Sequence, residues 1–123
     1  MILVDTSVWV DHLRNSNSGL TTLLQQSRVL IHPFVVGELV LGNLQQRRGV
    51  LQALRGLPAA TVATDDEVLH LIDRHALHGT GIGYIDAHLL ACARLSAGGR
   101  LWTFDKRLQA AAKALAVSHS DNH

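Results

Sequence analysis

The stretch Met1-Ile2-Leu3-Val4-Asp5-Thr6-Ser7-Val8-Trp9-Val10-Asp11 decides how the rest of the chain reads. Ile2 to Val4 is an apolar run too brief and too β-branched for a helix, and an acidic residue with two hydroxyl residues follows at once. That pattern is a buried strand with a polar tip. From Thr6 the period becomes helical, with Val8, Trp9, His12 and Leu13 on one face while Asp11, Arg14 and Asn15 look outward. Asp5 therefore stands at the C-terminal end of a strand, facing a helix N-terminus. In open parallel α/β sheets the crevice beyond the strand ends is where ligands bind, because loops and the positive ends of helix dipoles line it.

Working outward, Asn15 to Gly19 is a polar turn, and Leu20, Leu23 and Leu24 give a short helix ending near Ser27. Val29-Leu30-Ile31 reads as a second strand closed by His32-Pro33, with Pro33 suited to the first turn of a helix over Pro33 to Gln45. That helix is apolar on nearly every side and carries one carboxylate, Glu38, which is costly to bury without a partner. Gln45 to Arg48 is a polar, basic stretch before a short helix over Val50 to Leu57, which Pro58 terminates. Ala60 to Ala63 reads as a third, weaker strand. Thr64 then caps a helix with Asp65, Asp66 and Glu67 in its first turn, running to about His78. Gly79-Thr80-Gly81-Ile82-Gly83 is a flexible link into a helix over Tyr84 to Leu95, closed by Gly98-Gly99, with Asp86 in its first turn. Arg100 to Phe104 is a strand, Asp105 lies just past it, and Lys106 to Leu115 is the last helix. Ala116-Val117 adds a short edge strand. Residues 1–117 are expected to form a single domain, and 118–123 a disordered polar tail. Strands alternating with helices imply a three-layer α/β/α sandwich around a short, mostly parallel central sheet.

With 123 residues, 47% of them hydrophobic and 17% charged, the chain buries one sizeable core rather than two. A net charge of +1 neither announces nor excludes a nucleic-acid partner. The lone Cys92 lies in an alanine-rich helical run and permits no intramolecular disulfide, which fits a reducing cytoplasm. Ile2 to Val4 is far too short for a secretory core or a membrane span, so no membrane association is expected.

Chemistry is carried by acidic residues placed next to apolar strand ends or inside apolar helices: Asp5, Glu38, Asp86 and Asp105. Singly, each has a structural explanation. Asp5 or Asp105 caps the following helix, Asp86 complements a helix dipole, and Glu38 pairs with an arginine. Their conjunction weighs against that. Parallel connectivity puts Asp5 and Asp105 on the same edge of the sheet, where Glu38 and Asp86 can converge. Four carboxylates at close range repel one another unless a cation neutralises them, and a hard divalent ion such as Mg²⁺ prefers oxygen ligands and retains waters that can be activated for attack.

Four stretches, Ile2 to Asp11, Val36 to Gly42, Gly83 to Ala91 and Leu101 to Leu108, resemble in order and spacing the PIN-domain ribonucleases, and within them the VapC-type toxins of bacterial toxin–antitoxin pairs. The resemblance spans nearly the whole chain. It implies a PIN domain over 1–117 and metal-dependent hydrolysis of RNA phosphodiester bonds with Mg²⁺, for which Mn²⁺ substitutes. By the same resemblance Asp5 and Asp86 are direct metal ligands, Glu38 and Asp105 contact metal or water, and Thr6 orients a ligand or water, with Thr103 a weaker hydroxyl candidate. It further implies a homodimer bound by a cognate antitoxin, for which the apolar helix from Phe34 and the Leu20 to Leu24 segment offer surface. RNA needs cationic contacts around an acidic hole, and Arg14, Arg47, Arg48, Lys106 and Arg107 are the candidates; each alone is more often a solvated charge.

The rival readings are a phosphatase or receiver-like module that uses Asp5 as phosphate acceptor, and a catalytically silent protein-binding member of the same fold. The phosphatase wants a second aspartate where Ser7 stands, a receiver wants a lysine at its last strand, and the intact acidic set argues against silence. The glycines of 79–83 follow a helix and lack a Lys-Ser/Thr pair, so they are no phosphate loop. His75 and His78 share a helix face in this reading but lack a third zinc ligand. His88 packs or contacts RNA, and Trp9 and Trp102 belong to the core or an interface.

Overall fold

In the computed structural model, which describes residues 1–120, the opening stretch is the centre of the sheet. Strand β1 (Ile2–Val4) is buried throughout, as a strand covered on both faces must be. It pairs in parallel with β2 (Val29–Leu30), Ile2 opposite Val29, and with β3 (Arg100–Trp102), Ile2 opposite Arg100 and Val4 opposite Trp102. The strand order is β2-β1-β3. Single parallel bridges, Ile31 to Ala59 and Leu101 to Ser118, carry the pairing one step past each edge.

Seven helices connect these strands among the described residues: α1 (Thr6–Asn15), α2 (Ser18–Gln25), α3 (Pro33–Leu41), α4 (Arg47–Arg55), α5 (Asp65–Arg74), α6 (Tyr84–Leu95) and α7 (Lys106–Ala114). The chain moves from β1 to β2 and on to Ala59 in one direction, then returns past β1 to β3 and Ser118 in the other. Right-handed crossovers send those two journeys over opposite faces. Helix contacts respect that division: α1 packs on α3 and α3 on α4, whereas α5 and α7 pack on α6, which lies against β1 and β3. The result is the α/β/α sandwich expected from the alternation. The change of direction falls between β1 and β3, so the crevice beyond their C-terminal ends is the topological switch point.

Local sequence explains the helix starts. Asn17 accepts from the Leu20 amide (3.0 Å), and Thr64 with Glu67 forms a reciprocal capping box at 3.1 and 2.8 Å. Pro33 occupies the first turn of α3, and His32 Nδ1 accepts from the Phe34 amide at 3.1 Å. The core runs from Leu3, Val4 and Val8 through Leu89 and Leu90 to Leu101 and Leu108. Trp9, Trp102 and Cys92 are buried in it.

Several boundaries differ from the sequence reading. Helix α3 stops at Leu41 rather than Gln45, because Gly42 turns extended and its amide bonds back to Leu39. Helix α4 begins at Arg47, so Arg47 and Arg48 of the polar stretch open its first turn after a left-handed Gln46. No strand forms over 60–63; the pairing there is the one bridge at Ala59, flanked by Ile31 N–H to Pro58 O and Ala60 N–H to Ile31 O. Helix α5 ends at Arg74, with Ala76 left-handed at φ 51°, so His75 and His78 do not share a helix face. Strand β3 ends at Trp102, two residues before Phe104. The edge pairing expected at 116–117 falls instead on Ser118, with Leu101 bonded to Val117 O and His119 N–H to Leu101 O. Ser118 and His119, read as tail, are thus tied to β3. Residues 121–123, the remainder of that expected tail, lie outside the described residues.

Candidate active site

Asp5 follows β1 directly and is 6% exposed. It occupies the N-cap position of α1, yet its side chain makes no capping bond. Instead Oδ2 accepts from two hydroxyls, Ser7 Oγ and Thr103 Oγ1, each at 2.7 Å. Ser7 and Thr103 lie 3.3 Å apart, but with both protons directed at Asp5 that approach is a contact and not a third bond. Each hydroxyl oxygen also receives a backbone amide beyond β3: Phe104 N–H bonds to Ser7 and Asp105 N–H to Thr103, both at 3.0 Å. The ends of β1 and β3 are thereby stitched together through one carboxylate oxygen. Oδ1 takes no part in these bonds and is the oxygen available to a ligand.

The other carboxylates come from three helices. Glu38 is on the exposed side of α3, not inside its apolar faces, and it accepts from Thr6 Oγ1 at 2.7 Å rather than from an arginine. Asp105 does what a helix cap does, since its Oδ1 accepts the Leu108 amide at 2.9 Å. Asp86, half-buried in the first turn of α6, accepts from the Gly83 amide at 3.2 Å. Its pKa is raised above the ordinary aspartate value, first by desolvation and then by the negative charges of Asp5, Asp105 and Glu38, with the Gly83 amide pulling the other way. Asp5, Asp105 and Glu38 therefore all lie close enough to Asp86 for their charges to act on it.

Among the described residues, no three acidic, histidine or cysteine side chains converge closely enough to grip one ion directly. Leu108 N–H and Gly83 N–H hold Asp105 and Asp86 to their own helices, whereas Glu38 is bonded across to Thr6 of α1. An all-oxygen set with one or two direct carboxylates fits Mg²⁺, which dehydrates reluctantly and is held largely through its waters.

The cationic candidates fall into different places. Arg14 lines a groove of about 640 Å³ together with Glu38, Leu39, Val50 and the loop 43–46, so of the acidic residues it shares a groove with Glu38. Lys106 is exposed next to Asp105, and Arg48 is exposed in the first turn of α4. Arg47 donates to the Val40 carbonyl near the end of α3, which is a structural use. Arg107 lies against the glycine segment leading to Asp86: a Cβ at Gly81 would stand 2.7 Å from its Nη1. A depression of about 400 Å³ between α5 and α6, with Leu71, Ala91 and Leu95 among its lining residues, contains none of the acidic set and is not this site.

Sequence reasoning undervalued Ser7 and Thr103, whose signal was a hydroxyl two residues after one site aspartate and another two before the next. Tyr84 and Phe104, within two positions of Asp86 and Asp105, are 46% and 48% exposed.

A parallel α/β sandwich with Asp5 and Asp105 following neighbouring strands, and with Glu38 close enough to Asp86 for its charge to be felt there, gathers acidic residues at the switch point. The chain belongs to the PIN domain family, whose model matches residues 2–114. It is 50% identical over 111 residues to Ribonuclease VapC32 from two strains of Mycobacterium tuberculosis, covering 90% of this chain and 90% of those proteins. Among solved structures it is similar to PAE2754 from Pyrobaculum aerophilum (TM-score 0.63, 20% identity, 91% of this chain and 79% of that one). It is also similar to FitAB bound to an IR36 DNA fragment (TM-score 0.66, 18% identity, 100% and 99%). At those identities the two structures speak to the fold alone.

Proposed function

We propose that this protein is a divalent-metal-dependent endoribonuclease acting as the toxin of a toxin–antitoxin pair. The observation that carries the chemistry is the field at Asp86, where desolvation and three neighbouring carboxylates raise the pKa of a fourth. The relationship to a protein named ribonuclease VapC32 supports RNA as the substrate.

In this reading Asp5 and Asp86 would hold the ion, with Glu38 and Asp105 contacting it or its waters. Mg²⁺, or Mn²⁺ in its place, would supply there the positive charge that activates an attacking water and offsets charge on the phosphate. Ser7 and Thr103 fix the rotamer of Asp5. Thr6 orients Glu38, and the cap bond from Leu108 leaves Asp105 its Oδ2. Arg14, Arg48, Lys106 and Arg107 contact RNA phosphates on either side of the acidic centre, with Arg47 acting on the fold of α3 instead.

The remaining expectations belong to the same proposal. The protein is a homodimer that also binds a cognate antitoxin, and the apolar α3, with Leu41 89% exposed at its end, supports a covering partner. No helix among the described residues is long and apolar enough to cross a membrane, and we assign the protein to the cytoplasm. The deciding experiment compares cleavage of RNA by the wild type, Asp5→Asn and Asp86→Asn, with Mg²⁺ and with EDTA. Loss of cleavage in both variants and in EDTA is expected; undiminished cleavage in any of the three overturns the proposal.

A further inference from the structure

Phe104 is an apolar ring left half in water beside the acidic residues, at a position that the packing of the core does not require to be apolar. Trp102 and Thr103 just before it are buried, whereas Phe104 is not. By this point the chain has left β3 and is turning to begin α7 at Lys106, where a polar residue serves as well. The Phe104 backbone is nonetheless fixed to the site. Its amide donates to Ser7 Oγ at 3.0 Å, and that hydroxyl donates to Asp5 Oδ2 at 2.7 Å. The ring itself meets Trp102 in a T-shaped contact, with centroids 5.9 Å apart and planes at 84°.

Tyr84, the other exposed aromatic residue near the carboxylates, is already engaged. Its hydroxyl donates to Asp65 at 2.8 Å, and its ring packs T-shaped on His88 with centroids 4.8 Å apart. Phe104 has no polar atom to tie it down in that way. Asp105 follows it, and then the exposed Lys106, so three successive residues present an apolar ring, a carboxylate and an ammonium. A nucleotide matches that series, with a base that has a π face and a phosphate that takes both a bridged cation and an ammonium. Aromatic side chains next to cations are the usual means of holding unpaired bases, because every base has a face to stack. In a duplex both faces of each base are covered by its neighbours, which leaves nothing for the ring to stack on.

We propose that Phe104 is a specificity-determining residue that stacks on an unpaired nucleobase beside the phosphate held at the acidic site, so that the substrate is single-stranded RNA. This rests on the nuclease reading above. The Ser7 bond sets the ring's backbone in a fixed relation to Asp5, so the stacked base in turn registers the strand against the carboxylates. The ring grips a base that takes no part in the reaction. It therefore binds substrate and transition state alike, and its loss raises KM while leaving kcat unchanged.

Binding is read by fluorescence anisotropy with a labelled, unstructured RNA strand and the full chain carrying Asp5→Asn, which prevents cleavage. Phe104→Leu keeps apolar bulk without a π face, and it should weaken binding about tenfold, whereas Phe104→Trp should retain it. An abasic site walked along the strand should weaken binding sharply at one position while Phe104 is intact, and should cost nothing further there in Phe104→Leu. The same sequence as a full duplex should bind at least about tenfold more weakly. Unchanged affinity in Phe104→Leu, or an abasic walk with no such position, overturns the stacking role and leaves the ring as a contact for a protein partner. The walk with Phe104 intact decides this even if a variant fails to fold, and equal binding of the duplex overturns the single-strand assignment. With Asp5 restored, Phe104→Leu should raise KM about tenfold at unchanged kcat; a lower kcat at unchanged KM overturns the binding role. A protein that binds no RNA overturns this inference together with the nuclease reading, whereas RNA binding indifferent to Phe104 overturns this inference alone.

Discussion

Thr103 Oγ1 donates to Asp5 Oδ2 at 2.7 Å, joining residues 98 positions apart at the ends of two neighbouring strands. Both residues are buried, and the same hydroxyl oxygen accepts the Asp105 amide. Thr103→Val keeps the volume but leaves a buried carboxylate short of one donor and an amide without its acceptor. A hydrogen bond to a charged group contributes about 1.5–3 kcal/mol, so the variant should melt several degrees lower. Its RNA cleavage at limiting Mg²⁺ should fall about tenfold, because Asp5 loses the partner that sets its rotamer. Thr103→Ser should retain most of both. Cleavage at the wild-type rate by Thr103→Val would show that Ser7 alone orients Asp5.

Asp86 predicts a conflict between stability and metal binding. Its folded pKa lies above the unfolded value, because desolvation and three carboxylates disfavour its charge. Between those two values the folded state holds more protons, so stability falls as pH rises through that window and stays lower above it. Asp86→Asn removes the ionisation, and its amide oxygen can still accept the Gly83 amide. Without divalent metal at neutral pH the variant should melt above the wild type. The advantage should shrink as pH drops into the carboxylate range. Added Mg²⁺ should raise the wild-type midpoint and leave the variant unmoved. Thermal melts across pH, with Mg²⁺ or EDTA, check this; a variant less stable than wild type without metal at neutral pH contradicts the proposed field.

Much of this was legible in the sequence, for identifiable reasons. Ile2 to Val4 announces a strand through its β-branched apolar run, and the polar residues at its tip mark where the ligand crevice opens. The order of strands was not legible, because a three-residue strand carries no record of its neighbours; the switch point between β1 and β3 emerges only once Ala59 and Ser118 are seen at opposite edges. Glu38 was identified as anomalous on a wrong premise. Periodicity in an almost wholly apolar helix cannot say which side faces solvent, and the structure turns Glu38 outward to Thr6. Helix ends were missed at Leu41 and Arg74, where the stop depends on an extended Gly42 and a left-handed Ala76.

Gly81 and Arg107 should prove energetically coupled. Gly81 has φ 89°, a conformation L side chains rarely adopt, and a Cβ there would stand 2.7 Å from Arg107 Nη1 and 2.8 Å from its Cδ. Gly81→Ala therefore carries a backbone cost of about 1–2 kcal/mol plus a clash. Because this segment leads directly to Asp86, RNA cleavage should fall with stability. Arg107→Ala alone should alter the melting temperature little. In the double variant the clash is gone and only the backbone cost remains, so the combined loss should be smaller than the sum by at least about 0.5 kcal/mol. Strict additivity in urea unfolding of the four proteins would mean that Arg107 moves aside freely.

The arginines differ in what removing them should do to RNA binding, and salt dependence separates them. Arg47 is committed to the Val40 carbonyl, so Arg47→Ala should lower stability by loosening the end of α3 while leaving the salt slope of RNA affinity unchanged. Arg14 shares a groove with Glu38, and Lys106 is exposed beside Asp105. Each neutralised phosphate releases counterions, so Arg14→Ala and Lys106→Ala should each reduce the slope of log affinity against log salt by about 0.7 for single-stranded RNA. The measurement is fluorescence anisotropy with labelled RNA over a salt series, in an Asp5→Asn background that prevents cleavage. A reduced slope for Arg47→Ala would move that residue from the fold to the RNA path. Unchanged slopes for both Arg14→Ala and Lys106→Ala would place the bound strand elsewhere on the surface.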